Sequence, residues 1–290
     1  MGLRLKFNLV LLVVFVFGLA VTAYISWGLL ERNARDDVVR NADLMMEAAL
    51  AIRAYTVDQV RPQLDLQLMR VFLPQSVPAY AATETLAQIK KKYPDYSYKE
   101  ATLNPTNPRN RATDWEADLV QEFKNRAGLG QMIGERDTPT GRSLYIARPI
   151  KITNPACLPC HTTPEMAPAT MVKYYGPANG FGWKLNDIIG AQVVSVPMTL
   201  PFRNAGHAFL AFMGSLTIVF ALVFLVLNLM LSRMIIRPIS RMSGAADQIS
   251  TGNFEIAEFA DKGKDEIAVL GLAFNRMRRS LQKALQMIEG

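Results

Sequence analysis

The sequence predicts an α+β fold class in a two-span membrane protein, with a mixed domain outside the cytoplasm and a helical bundle inside it. Three observations predict this. Residues 9–30 and 208–231 are apolar runs long enough to cross a bilayer. The segment between them switches between helical spacing and strand-like alternation. After the second run, apolar residues recur at spacings of three and four. Half of the 290 residues are hydrophobic and the formal net charge is +7. The chain is too apolar for a disordered protein, and its positive charge is scattered or flanks the apolar runs. The lipid bilayer is therefore the expected partner, and no nucleic acid is.

The first run carries no charge and follows Arg4 and Lys6. The second is interrupted only by Ser215, Thr217 and Asn228, and Arg233, Arg237 and Arg241 follow it. Both basic flanks read as cytoplasmic. Residues 1–8 are then a cytoplasmic N-terminus, 9–30 and 208–231 transmembrane helices, 31–206 a periplasmic domain and 232–290 a cytoplasmic helical region. A cleaved signal peptide is the alternative for the first run, but the run is long and lacks an Ala-x-Ala site.

In the outer segment, residues 31–72 read as a helix continuing from the first span, with Leu44, Met45, Ala48, Ile52, Tyr55 and Gln59 at helical spacing. Pro62 breaks or kinks it. Met69, Val71, Phe72 and Leu73 form an apolar patch ended by Pro74. Turn signals dominate 74–115, where Lys90-Lys91-Lys92 reads as a solvated helix end and Tyr93, Tyr96 and Tyr98 suggest a strand. Thr113-Asp114 caps a helix through Trp115, Leu119, Val120 and Phe123, ending near Gly128. Residues 141–152 and 192–196 alternate as strands.

One short stretch carries chemistry: Cys157-Leu158-Pro159-Cys160-His161, flanked by Asn154-Pro155 and Thr162-Thr163-Pro164 and read as loop. Two cysteines three apart with histidine next form the attachment signature of a c-type haem. Each thiol adds across one porphyrin vinyl group, and the following imidazole lies where it can coordinate iron. These are the only two cysteines, and His161 is one of two histidines, so one covalent haem c per chain is expected. A redox disulfide is the competing reading, and a structural zinc site lacks a second Cys/His pair. Haem attachment of this kind occurs on the outer face of the bacterial membrane, where the charge bias puts the motif; the bacterial inner membrane is the expected location. His161 is the expected proximal ligand. His207 begins the second span and reads as interfacial. Among Met45, Met46, Met69, Met132, Met166, Met171 and Met198, Met69 is the favoured sixth ligand, with a water or an open position as the alternative. An open position would admit a small gas.

Several separated motifs carry a resemblance. Tyr55-Thr56, Val60-Arg61-Pro62, Asn104-Pro105, Asp114-Trp115-Glu116, Arg148-Pro149, the cysteine stretch, Tyr175-Gly176, Asn179-Gly180-Phe181-Gly182-Trp183 and Gly190-Ala191 together resemble the c-type haem family of PAS-like periplasmic sensor domains, over roughly 32–200. The resemblance implies a PAS-like fold with haem held against the sheet. Arg53, Tyr55, Arg61, Arg148 and Tyr174 fall in its segments and are the candidate partners of the haem propionates. Gly176, Gly180 and Gly182 either let backbone approach the porphyrin or serve turn chemistry.

Past the second span, Ile239, Met242, Ala246 and Ile249, then Ile267, Leu270, Phe274, Met277 and Leu281, mark two heptad helices suited to a parallel four-helix bundle in a homodimer. With Arg237-Pro238-Ile239, Gly252-Asn253-Phe254 and Asp265-Glu266-Ile267 as punctuation, residues 232–285 resemble a HAMP domain. No kinase region or chemoreceptor hairpin follows before Gly290, so output is expected through a separate signalling or redox protein. The order of parts implies a transmembrane haem sensor. A membrane-anchored c-type cytochrome for electron transfer is the alternative, and no catalytic constellation suggests an enzyme.

Overall fold

The computed structural model describes residues 2–126, 128–259, 263 and 265–289. Met1, Gly290 and part of the connector expected after Ile249 lie outside the described residues. The chain divides into two units, Gly28–Ala208 and Met1–Trp27 with Phe209–Gly290.

The unit Gly28–Ala208 is built on a four-stranded antiparallel sheet of β1 (Ser97–Thr102), β2 (Met132–Thr138), β3 (Gly141–Lys151) and β4 (Ile188–Pro197), ordered β1-β4-β3-β2. The alternation expected over 141–152 is β3, and the short strand expected over 192–196 is the longer β4. β4 is central and buried along most of its length, which explains its nearly unbroken apolar sequence. β2, whose Gly, Glu, Arg and Asp dilute the apolar pattern, was not expected from the sequence.

Both sheet faces are covered. On one, α1 (Leu3–Tyr55) packs Val38, Ala42 and Met46 against Leu144, Ile146, Val194 and Val196. α4 (Pro78–Lys92) joins that face through Ala82 and Leu86, which meet Ala49. Its last turn carries the three lysines expected at a helix end. On the other face, α5 (Asp114–Asn125) sets Leu119, Val120 and Phe123 against Ala101, Ala147, Ala191 and Val193. α5 starts with a capping box: the Thr113 backbone N–H and hydroxyl both donate to Glu116, whose carboxylate also meets Lys99 at 2.6 Å. The apolar stripe of α1 differs from the expected one. Leu44, Ala48, Tyr55 and Gln59 are exposed, and the buried positions are Ala34, Val38, Ala42, Met46 and Ala49. Three of these five are alanines, which a pattern sought in large side chains passes over, while Met45 and Ile52 of the expected stripe are partly buried against the core.

Past Tyr55 the helix becomes a π-helical turn, Thr56–Val60, then two short pieces, α2 (Arg61–Gln63) and α3 (Asp65–Leu68). The break expected at Pro62 thus begins one turn earlier. α6 (Leu158–His161) and α7 (Ala169–Tyr175) lie between β3 and β4. The 69–73 patch is no core: Met69 and Val71 are exposed.

The other unit holds the apolar part of α1 and most of α8 (Thr199–Met230). Both helices are long and apolar enough to cross a membrane. Phe15 stacks on Phe220 at 5.1 Å, and Trp27 meets Phe209 edge-on at 5.3 Å. A second π-helical turn, Leu231–Ile236, leads into α9 (Arg237–Ser250). α10 (Glu266–Glu289) follows, with the Asp265 carboxylate accepting from the Ala268 N–H at 2.8 Å as its cap. Met242, Ala245 and Ile249 are buried within the chain, while Ile239, Ala246, Leu270, Met277 and Leu281 of the expected seam stay exposed in the single chain. Asn275, not singled out from the sequence, is buried; it accepts from the Phe259 N–H at 3.1 Å and donates to the Phe259 carbonyl at 2.9 Å.

Phe123 is fully buried against the second face of the sheet. Phe123→Ala is expected to cost about 3–5 kcal/mol. Denaturant unfolding of the purified full chain in detergent should show the shift.

Candidate functional site

The cysteine stretch is placed by two turns. Asn154 caps a 3₁₀ turn, Pro155–Cys157, by accepting from the Ala156 N–H at 2.9 Å. The single helical turn α6 follows at once, so the motif is helical where the sequence read as loop. Residues three apart on such a turn share a face, which brings the two sulfurs to one side. Both cysteines are free thiols and half-buried. Burial pushes both thiols up; Arg53 and Arg61 draw Cys157 back down, and Arg61 does the same for Cys160.

His161 is the most constrained side chain here. Its Nδ1 donates to the Gly180 carbonyl at 2.7 Å, and its ring stacks on Trp183 with centroids 3.7 Å apart and planes within 9°. Thr106 Oγ1 lies 3.4 Å from the same nitrogen. A carbonyl only accepts, so Nδ1 carries the proton and Nε2 presents its lone pair. Burial pushes the imidazole pKa down, against the upward pull of the Gly180 bond. The neutral ring is the form that ligates a metal.

The loop 179–183 is tied to the site on both sides. Its Gly182 and Trp183 N–H groups donate to the carbonyls of Thr162 and His161. Asn104 accepts from the Gly180 N–H at 3.2 Å and donates to the Phe181 carbonyl at 3.3 Å. Gly180 has φ +86°, and a Cβ there would lie 2.0 Å from Thr106 Oγ1. Glycine is required at 180 by this approach of loop to loop. At Gly176 and Gly182 the backbone also has positive φ, but a Cβ would meet nothing within 4 Å, so turn conformation is the reason found there.

The remaining candidates separate into groups. Arg53 Nη1 meets the Glu100 carboxylate at 2.6 Å, where the Glu100 side chain is 4% exposed. Tyr98 donates to Glu100 at 2.8 Å and accepts from Gln192 at 3.2 Å. Burial and the Glu100 charge push the Tyr98 phenol far up. Arg61 acts electrostatically on both thiols and has no carboxylate partner among the described residues. Arg148 is engaged by Gln131 at 2.8 Å, Glu47 at 2.7 Å and Asp43 at 3.8 Å. Tyr55 and Tyr174 are exposed, and Met69 is 82% exposed. Thus Arg53 and Arg61 come to the thiols, Arg148 is held by acidic groups of α1, and Tyr55, Tyr174 and Met69 stand at the surface. No local pattern marks a role for Trp183, Thr106, Asn104 or Glu100. Trp183, Asn104 and Gly180 did lie in the motifs that carried the family resemblance.

The donor chemistry fits a covalently held haem. Two free thiols share one turn, and beside them an imidazole has its Nδ1 occupied and Nε2 available. Exposed apolar side chains, Val57, Leu66, Met69, Val71 and Met166, lie on the two neighbouring segments. Those segments are joined where the Phe72 N–H donates to Thr170 at 2.8 Å and Phe72 packs on Tyr175 at 5.9 Å. Porphyrin faces are apolar and would cover such groups.

Residues 31–197 match the family described as Tll0287-like, and residues 230–283 match the HAMP domain. The crystal structure of the cyanobacterial heme-protein Tll0287 is similar at a TM-score of 0.43 and 17% identity, covering 55% of this chain and 94% of that one. No curated protein matches the chain.

Two outcomes follow from this geometry. Gly180→Ala is expected to destabilise more than Gly176→Ala: both suffer backbone strain of about 1–3 kcal/mol, and only the first meets Thr106. Paired thermal melts check this. Tyr98 stays protonated in the folded chain, whereas the unfolded chain ionises it near pH 10. Its contribution to stability is therefore full below about pH 10 and is lost as pH rises. Melting temperature should fall above about pH 10, and Tyr98→Phe should flatten that slope.

Proposed function

The chain belongs to the Tll0287-like family, and from that membership we propose that it is a transmembrane haem sensor, with a periplasmic PAS-like domain whose state is relayed through the HAMP domain. The observation that supports this most is the His161 geometry. A neutral imidazole, fixed by Gly180 and Trp183, stands beside two free thiols on one turn. In this reading the thiols of Cys157 and Cys160 would hold one haem c, and His161 Nε2 would bind its iron. Haem supplies an iron that responds to electrons and to small ligands such as gases.

The protein side of the proposal is specific. Trp183 and Gly180 hold the His161 ring plane and tautomer. Arg61 is the favoured propionate partner, since Arg53 is committed to Glu100 and Arg148 to Gln131, Glu47 and Asp43. Tyr55 and Tyr174 are exposed enough to close over a propionate edge. Met69, which is exposed, would supply a further iron ligand in this proposal. The chain carries out no catalysis in this reading.

Signal transfer needs a two-state element. The seam residues Ile239, Leu270, Met277 and Leu281 are exposed in the single chain and suit a parallel homodimer in the bacterial inner membrane. A bias of about 1–3 kcal/mol between two packings of that bundle suffices for a measurable response. A separate signalling or redox protein receives it.

The test has two arms. Full-length wild type should keep haem on a denaturing gel, and Cys157→Ser/Cys160→Ser should not. Ile239→Cys and Ile267→Cys chains should crosslink to different extents in oxidised and reduced membranes. Identical yields under every haem state would remove the relay and leave a membrane-bound electron carrier.

A further inference from the structure

A cavity of about 670 Å³ opens at the base of the unit Gly28–Ala208, away from the cysteine stretch. Its walls are the 30–41 stretch of α1, the turn 92–96 between α4 and β1, and the first residues of α8. Its volume falls in the range of small-ligand sites, about 300–1,000 Å³.

Its position and chemistry are both informative. Leu30 closes the first apolar run and Ala208 opens the second, and both line the cavity. If the two runs cross the bilayer, as the membrane reading above holds, the cavity lies at the level of the lipid headgroups. Charge of both signs rings it. Arg40 is already bonded to Asp37 at 2.8 Å. Lys92 and Asp95, both exposed, have no ion-pair partner among the described residues. The same turn carries Tyr93 and Tyr96, whose rings meet edge-on at 5.8 Å, with the Lys92 ammonium 5.6 Å from the Tyr93 ring. Tyrosine of this kind, apolar in body and polar at the tip, is enriched at membrane interfaces.

A cation and a carboxylate without ion-pair partners, on one aromatic turn that lines the cavity, match a ligand that carries both charges. We infer that this cavity binds the headgroup of a zwitterionic aminophospholipid, its phosphate on Lys92 and its ammonium on Asp95, with the acyl chains leaving past Leu30 and Ala208. Phosphate and ammonium are each met by a charge-assisted contact. An anionic headgroup with no ammonium would leave Asp95 facing like charge. The bound lipid would bridge α1, α8 and the 92–96 turn. Neither the haem nor its ligands take part, so the inference rests on the membrane reading alone.

Native mass spectrometry of the detergent-purified full chain tests it, with phosphatidylethanolamine and phosphatidylglycerol supplied at equal concentration. The expected result is preferential retention of phosphatidylethanolamine. Lys92→Ala/Asp95→Ala should lower that retention roughly tenfold, equivalent to about 1.4 kcal/mol, and Lys151→Ala, exposed at the end of β3, should not. Equal retention by wild type and the double variant, or equal binding of the two lipids, overturns the inference. Carbonate washing of membranes separates the two levels of failure. A chain that stays in the membrane but shows no ethanolamine-lipid preference refutes this site alone, and a chain that washes out refutes the membrane reading as well.

Discussion

A carboxylate buried to 4% exposure cannot stand alone in a protein interior, and Glu100 is such a group. Its partners come from separate places: Arg53 from the end of α1 and Tyr98 from two residues back along β1. Gln192 extends the network from β4, directly across from Glu100 in the sheet register. Satisfying one charge therefore fixes the position of α1 along the sheet. The rest of the site inherits that placement. Arg61 follows Arg53 by two turns of helix, and both act on Cys157. A shift of α1 by one turn would strand Glu100 and withdraw both guanidinium groups from the thiols.

The second constraint is the loop 179–183. It contributes no ionisable group, yet it determines how His161 can act. A carbonyl takes the Nδ1 proton, an indole takes one face of the ring, and two backbone N–H groups lock the loop to residues 161 and 162. Asn104 then ties the loop to the stretch after β1. The imidazole is oriented by groups from three parts of the chain before any ligand is considered, which is the preorganisation a metal ligand requires.

Legibility in the sequence followed the range of the interactions. The cysteine stretch, β3, β4, the cap at Thr113 and the two apolar runs depend on neighbours within a few residues, and each could be read directly. The fold class could be inferred because helical and strand periods alternate along the outer segment. β2 escaped because an edge strand with charged residues on both faces carries little apolar signal. The face of α1 is only partly legible, because three of its five buried positions, Ala34, Ala42 and Ala49, are small residues that a pattern of large side chains passes over. Trp183 against His161, Glu100 with Arg53 and Asn275 with the Phe259 backbone bring together residues distant in sequence, and no local pattern announces such pairs.

Two stretches of π-helix, Thr56–Val60 and Leu231–Ile236, have a mechanical consequence of their own. Each holds one residue more per turn than the α-helix on either side of it. Such a turn is slack wound into a rod. Winding it back to regular pitch advances the adjoining helix by one residue, about 1.5 Å of travel with about 100° of rotation. The step is discrete, because a helix accommodates a whole residue or none. One of these turns lies between Arg53 and Arg61, and the other leads directly into Arg237 and Pro238. A return to α-helical pitch at either turn would shift the helix beyond it by that same increment.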